Sequence, residues 1–274
     1  VTTLDKFSLM PVSSPVSLPV SRQTKLMAKR RLLQMHYEAG VGHIGGNLSS
    51  LDALLVLLNE FVTPGDELIL SKGHSAGALY VALWSCGRLT EESLKSFHQD
   101  ATLLAGHPPA GRIDGIPFAT GSLGHGTSLA AGIALGARFQ STGNQVFCVT
   151  SDGEWQEGST WEALIFACHH KLKNLKIFVD HNELQGFGDT TSVASMAPLA
   201  ARIEGFNAHV SEIDGHDLEA LRTAANLECD TVHVIIMNTV KGSGVSFMEN
   251  QMKWHYLPLN DDQYEAAMLE LEAP

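Results

Sequence analysis

Cysteine is scarce in this chain. Cys86, Cys148, Cys168 and Cys229 are scattered, and none forms a CxxC pair. Free thiols are therefore expected, with Cys148 and Cys168 buried in core elements. Basic charge is also short: 18 Lys and Arg stand against 30 Asp and Glu, for a formal net charge of −12. A nucleic-acid binder carries a basic stripe. The only candidate, Arg22 to Arg31, reads instead as the polar face of a helix, so no nucleic-acid partner is expected. No apolar run approaches the ~20 residues of a membrane span, and no signal-peptide pattern opens the chain. A cytoplasmic protein without membrane contact is the expectation. No internal repeat is visible.

The 274 residues, 44% hydrophobic and 18% charged, can build one large domain or two small ones. Residues 1–20 hold Pro11, Pro15 and Pro19 among Ser and Val and read as a flexible amino-terminal arm. The remainder, 21–274, alternates helices and strands. Helices are predicted over Ser21 to Ala39, from just after Ser49-Ser50 to Phe61, and over Ser75 to Cys86, Thr90 to Phe97, Thr127 to Gln140 and Trp155 to His170. Further helices are predicted over Ser195 to Ile203, Leu218 to Asn226 and Asp261 to Leu271. Strands are predicted over 67–70, 146–150, 175–179, 206–210 and 232–237. Apolar, β-branched strands between helices predict an α/β fold, a mostly parallel sheet with helices on both faces.

The most informative feature is a βαβ unit with an oxygen ligand after each strand. Val146 to Thr150 is followed by Ser151-Asp152-Gly153-Glu154, and Leu175 to Val179 by Asp180-His181-Asn182-Glu183-Leu184. Ligands of open α/β sheets bind at the carboxyl ends of the strands. A carboxylate, an amide oxygen and a backbone carbonyl gathered there suit Mg²⁺ holding a phosphate group. An Asp-Gly after a strand is by itself usually a turn, so the accompanying clusters carry the weight. They are Gly42-His43-Ile44-Gly45-Gly46, Lys72-Gly73-His74-Ser75, Gly106-His107-Pro108, Thr120-Gly121-Ser122-Leu123-Gly124-His125-Gly126 and Trp254-His255. Glycine lets backbone N–H groups approach an anion, and a helix start after His74 favours a phosphate. Of the 13 histidines, His36, His98, His169, His170, His209 and His233 read as surface or packing residues.

Together these clusters resemble the amino-terminal, diphosphate-binding half of a transketolase, from about Arg22 to His255. Ser151 to Gly158, extended to Asn182, is similar to the thiamine-diphosphate signature. Ser151 stands where glycine is common. His125 and Ile44 depart from the usual pattern in the way of split transketolases, and Tyr256 follows His255 where glycine is common. The resemblance implies thiamine diphosphate and Mg²⁺ as cofactors. It implies Asp152, Asn182 and the Leu184 carbonyl as metal ligands, and His74, Gly153 and His255 on the diphosphate. Gly121 and Leu123 would hold the aminopyrimidine, His43 and His107 the ketol unit, and Glu157 a carboxylate network at the subunit interface. The implied reaction is transfer of a two-carbon ketol unit from a ketose phosphate to an aldose phosphate.

The family also needs a pyrimidine-binding domain of about 150–200 residues, whose glutamate activates the cofactor. That domain is expected on a separate partner subunit, with an α2β2 heterotetramer as the assembly. Two alternatives remain open: delivery of the two-carbon unit to a carrier-bound acceptor, and a non-catalytic, cofactor-binding relic.

Overall fold

The computed structural model describes residues 19–272. Helix α1 (Arg22–Ala39) begins at Ser21, whose hydroxyl accepts from the Thr24 N–H, and ends at Gly40 in the left-handed conformation. Then come α2 (Ile44–Val56), a π-helical turn over Leu57–Phe61, β1 (Glu67–Leu70), α3 (Ala76–Ser85), α4 (Glu91–Lys95) and α5 (Gly126–Phe139). β2 (Val146–Ser151), α6 (Gly158–His169) and β3 (Leu175–His181) form the expected βαβ unit. A small hairpin, β4 (Leu184–Gln185) and β5 (Gly188–Asp189), leads into α7 (Thr190–Ala194) and α8 (Leu199–Glu204). β6 (His209–Asp214), α9 (Leu218–Asn226), β7 (His233–Asn238) and α10 (Asp261–Glu270) complete the chain.

The main sheet has the order β1-β2-β3-β7-β6, and every neighbouring pair is parallel. Both faces are covered, as parallel sheets require. Phe147, Val149, Phe178, Ile235 and Met237 point into one core with α1, α2 and α3. Val146, Cys148, Ile177, Val179, Val234 and Ile236 point into the other, with α5 and α6. Alternate residues of β1, β2, β3 and β7 thus serve opposite cores, which is why these strands read as largely apolar runs.

Several expectations shift. α2 begins at Ile44, not after Ser50, because its glycines pack inward: a side chain at Gly45 would meet Lys241 and Trp254. A 3₁₀ turn over Gly153–Gln156 precedes α6, so the helix starts at Gly158 rather than Trp155. The strand expected over 206–210 lies at His209–Asp214, which among the described residues is an edge strand paired to β7. The helix expected from Ser195 starts at Leu199, after Pro198 at its N-cap. Cys148 is buried as expected, whereas Cys168 is only half-buried near the end of α6. Of the expected arm, Pro19 and Val20 are described, and the rest lies outside the described residues. Val20 is buried: its N–H donates to Glu60 Oε1 at 2.8 Å and its carbonyl accepts from Arg222. No helix among the described residues is long and apolar enough to cross a membrane.

Candidate functional site

The carboxyl ends of four neighbouring strands deliver the polar groups of the site. Lys72 and His74 follow β1, Asp152 follows β2, Asn182 follows β3, and Thr239 and Lys241 follow β7. Two buried carboxylates organise these loops. Asp180, at the end of β3, is fully buried and pairs with Lys72, which is 1% exposed. It also accepts from Ser49 Oγ at 2.6 Å, from Asn182 Nδ2 at 3.2 Å and from the Thr239 hydroxyl. Burial alone would push its carboxyl up; the Lys72 ammonium and these donors hold it below the usual carboxylate range. Glu154 is the second. Its Oε1 accepts from the Gly124 N–H at 2.9 Å and from the Ser71 hydroxyl, and its Oε2 accepts from the Ser151 N–H at 2.9 Å. It therefore ties the loops after β1 and β2 to the glycine-rich segment.

Asp152, Asn182 and Leu184 come together on this scaffold. Asp152 is 6% exposed; its Oδ1 accepts from the Gly153 N–H at 2.8 Å and its Oδ2 from the Glu183 N–H at 2.6 Å. The Asn182 side-chain oxygen accepts from the Leu184 N–H at 3.2 Å. The Leu184 carbonyl accepts from Lys241 Nζ at 2.9 Å, so an ammonium already sits on that oxygen. Burial, and then the nearby Asp180 carboxylate, push the Asp152 carboxyl up to about 6. A buried carboxylate beside a second one, with an amide and a carbonyl oxygen at hand, calls for a hard cation. The donor set fits Mg²⁺.

Around this centre lies a cluster of imidazoles. The His43 ring is 5.7 Å from that of His74, 6.4 Å from His107 and 5.2 Å from His255, and His74 lies 5.6 Å from His255. His43 takes a left-handed backbone at the start of α2, and its Nδ1 is buried without a hydrogen-bond partner among the described residues. Asn47 fixes two of these segments by donating to the His43 carbonyl at 2.8 Å and the His74 carbonyl at 3.1 Å. Burial lowers the pKa of all four rings, His255 to about 3, so they are neutral at pH 7.

Residues 23–271 match the family described as transketolase, thiamine diphosphate binding domain. The chain belongs to this family. Among curated relatives it is 35% identical over 271 residues to the 6-deoxy-6-sulfo-D-fructose transketolase subunit of Clostridium sp. (strain MSTE9), covering 94% of this chain and 98% of that one. It is also 35% identical to an apulose-4-phosphate transketolase subunit of Phocaeicola vulgatus, covering 89% and 90%. The solved transketolase of Campylobacter jejuni superposes with a TM-score of 0.82 at 30% identity over 91% of this chain. The chain spans 42% of the length of that structure. As a transketolase-family domain it binds thiamine diphosphate with a divalent metal such as Mg²⁺, in the service of group transfer.

The glycine-rich segment of this transketolase domain wraps the histidine cluster. Gly121 has φ of +140°, and a side chain there would run into His107 Cδ2 at 2.7 Å. A β-carbon at Gly73 would meet the backbone of Thr120 and Gly121 at the same distance. Gly153 is less constrained: a β-carbon there would meet nothing nearer than Gln185 Cβ at 3.4 Å. Two expected site residues stand apart from the imidazoles. Leu123 is half-buried in the glycine-rich loop, and Glu157 is exposed at the N-cap of α6, packed against Gly124.

Sequence reasoning missed Asp180, Glu154 and Lys241. Asp180 and Glu154 lie inside the motifs already singled out. Their signal was an acidic residue at or just after the carboxyl end of a buried strand. Lys241 follows β7 as Lys241-Gly242; besides the Leu184 carbonyl it contacts His255 Nδ1 at 3.1 Å, and burial lowers its pKa to about 8.

The buried histidines give a pH signature. Burial brings His36, 2% exposed, down to about 4. Below the unfolded pKa of about 6.5 the unfolded chain binds the proton that the folded chain refuses, so stability present above that pH is lost as pH falls. His36 alone then costs about 2 kcal/mol between pH 7 and 5. Asp152, raised to about 6, acts with the opposite sign, but one carboxyl offsets only about 1.4 kcal/mol over that range. His233, fully buried and lowered to about 4, adds to the His36 side, so the metal-free chain should melt several degrees lower at pH 5 than at pH 7. A melting temperature equal or higher at pH 5 would show that these rings are not held neutral.

Proposed function

We propose that this chain is the diphosphate-binding subunit of a two-component transketolase, which transfers a two-carbon ketol unit from a ketose phosphate to an aldose phosphate. The observation that carries the reading is the meeting of four neutral imidazoles with the Asp152, Asn182 and Leu184 oxygens at one edge of the sheet. Asp152, Asn182 and the Leu184 carbonyl hold Mg²⁺. His74, His255 and the Gly153 backbone face the diphosphate, and the Lys241 ammonium adds positive charge beside it. Backbone groups of Gly121 and Leu123 orient the aminopyrimidine. Bound thiamine diphosphate supplies the carbon that carries the two-carbon unit between donor and acceptor. His43 and His107 hydrogen-bond the oxygens of that unit and, being neutral, can take or return a proton at a ring nitrogen.

The partner is a separate subunit carrying the pyrimidine-binding domain and its activating glutamate, in an α2β2 assembly. Relatives of nearly the same length are named as subunits. Glu157 is exposed, as an inter-subunit carboxylate must be in the isolated chain. On α5 and α6, Phe139 is 76% exposed, Ile165 49% and Phe166 39%, the kind of apolar surface an obligate interface covers.

Ketol transfer is measured with Mg²⁺ and thiamine diphosphate, for the chain alone and mixed with its partner. Activity in the mixture only is the expected result; activity of the chain alone would refute the split enzyme. Because the relatives are named for different sugars, the sugars tested include 6-deoxy-6-sulfo-D-fructose and apulose 4-phosphate. His107→Ala should lower turnover about 100-fold while cofactor affinity in a titration stays within about threefold. Full activity at saturating donor would remove His107 from the substrate site.

A further inference from the structure

The opposite edge of the sheet holds a second cluster. His209 and His233 open β6 and β7 and are directly paired in the parallel register, with ring centroids 4.9 Å apart at 70°. Cys229 lies in the connection from α9 to β7. One ligand atom from each of His209, Cys229 and His233 lies within 4.8 Å of the other two. The strands rise about 3.3 Å per residue, so β7 alone sets this cluster roughly 17 Å from the loop that bears Lys241.

His233 is the decisive member. It is fully buried, and its Nε2 lies 2.9 Å from Ser211 Oγ. That contact leaves Nδ1, which is buried and has no hydrogen-bond partner among the described residues. A buried polar atom without a partner is costly. A ring nitrogen left free while the other is held by a hydroxyl is the arrangement of a metal-ligating histidine with its outer support. A cavity of about 1220 Å³ opens beside the cluster and is lined also by Glu228 and Asp230. Water or a neighbouring carboxylate can therefore complete the coordination. Arg138, Lys173 and Lys176 also line this cavity; the Lys176 ammonium is engaged by the Ala225 carbonyl and the Arg138 guanidinium by the His170 carbonyl.

We propose that His209, Cys229 and His233 form a binding site for a borderline divalent transition metal, zinc above all, separate from the Mg²⁺ centre. Two imidazoles and a thiolate with one open position suit tetrahedral Zn²⁺ and reject Mg²⁺, which needs oxygen ligands. Coordination replaces the Cys229 S–H by an S–metal bond and releases the proton to solvent. The ion clips the α9–β7 connection to the start of both edge strands. Its effect falls on the stability of that edge and not on group transfer.

Co²⁺ is the probe, added to the demetallated full-length chain with Mg²⁺ and thiamine diphosphate present. One equivalent should give visible bands of tetrahedral Co²⁺ and a thiolate-to-metal charge-transfer band, both displaced by one equivalent of Zn²⁺. Cys229→Ser should abolish the charge-transfer band and weaken binding at least tenfold, while Cys168→Ser should leave both unchanged. Zn²⁺ should raise the melting temperature of the parent chain by several degrees and not that of Cys229→Ser. Absence of the thiolate band in the parent chain, its survival in Cys229→Ser, or equal zinc stabilisation of both proteins would overturn the site.

Discussion

Replacing Asp152 by alanine is expected to abolish Mg²⁺-dependent binding of thiamine diphosphate, weakening it at least 100-fold in a calorimetric titration of the assembled enzyme. Asp152 is the only anionic member of the proposed donor set; Asn182 and the Leu184 carbonyl are neutral. Mg²⁺ gives up its water reluctantly and is bound through one or two carboxylates plus phosphate oxygens. Without Asp152 the remaining dipoles cannot replace that charge. Asp152→Asn separates the metal role from folding. It keeps a side-chain acceptor for the Gly153 or Glu183 N–H groups and removes the repulsion from Asp180 that helps push the Asp152 carboxyl up to about 6. The metal-free Asp152→Asn chain should therefore be at least as stable as the parent while binding Mg²⁺ poorly. Affinity retained within about threefold would refute the metal assignment.

Asp180→Ala is expected to cause the largest loss of stability, about 3–5 kcal/mol, because it leaves the Lys72 ammonium buried without its counter-charge. Ser49, Thr239 and Asn182 lose an acceptor in the same step. The pair itself need not stabilise the fold, since removing two charges from water offsets most of their attraction. The double variant Lys72→Met/Asp180→Leu should accordingly lose far less than the single one. Urea unfolding of both variants checks this. If single and double variants unfold alike, the ion pair does not hold the loops after β1 and β3.

The elements read most accurately from sequence are those whose local pattern and tertiary role agree. β2 and β3 are buried along nearly their whole length and mostly apolar because each packs on both cores, and α9 matches its predicted span of Leu218–Asn226. The misses have physical causes. Gly45 and Gly46 are poor helix formers, yet α2 includes them where Lys241 and Trp254 pack so close to Gly45 that a β-carbon there would meet them at 3.1–3.3 Å. β4 and β5 are two residues each, too short to carry a period. Phe206 to Val210 looks apolar, but the ladder with β7 begins only at His209.

At the site, the sequence singled out Asp152 and Asn182 by their places after two strands, His43, His74 and His107 by their glycine neighbours, and His255 by the resemblance, and the fold draws them to one sheet edge. It could not rank Glu154 or Asp180, since a carboxylate's role depends on which donors converge on it from distant loops. His209 and His233 read as surface or packing residues because they are 24 positions apart and far from any motif. What the sequence by itself determined is the alternation of buried strands and helices and which oxygen-bearing and imidazole-bearing residues are candidates for the site, because these rest on local periodicity, on residues that follow strand ends and on the resemblance of the motifs to the family. What only the tertiary structure decided is which groups share a buried space: Asp180 with Lys72, Glu154 with three loops, Lys241 with the Leu184 carbonyl, and His233 with Cys229. The parallel sheet order sets those pairings by bringing loops from distant parts of the chain to the same edge, and no local pattern encodes that order.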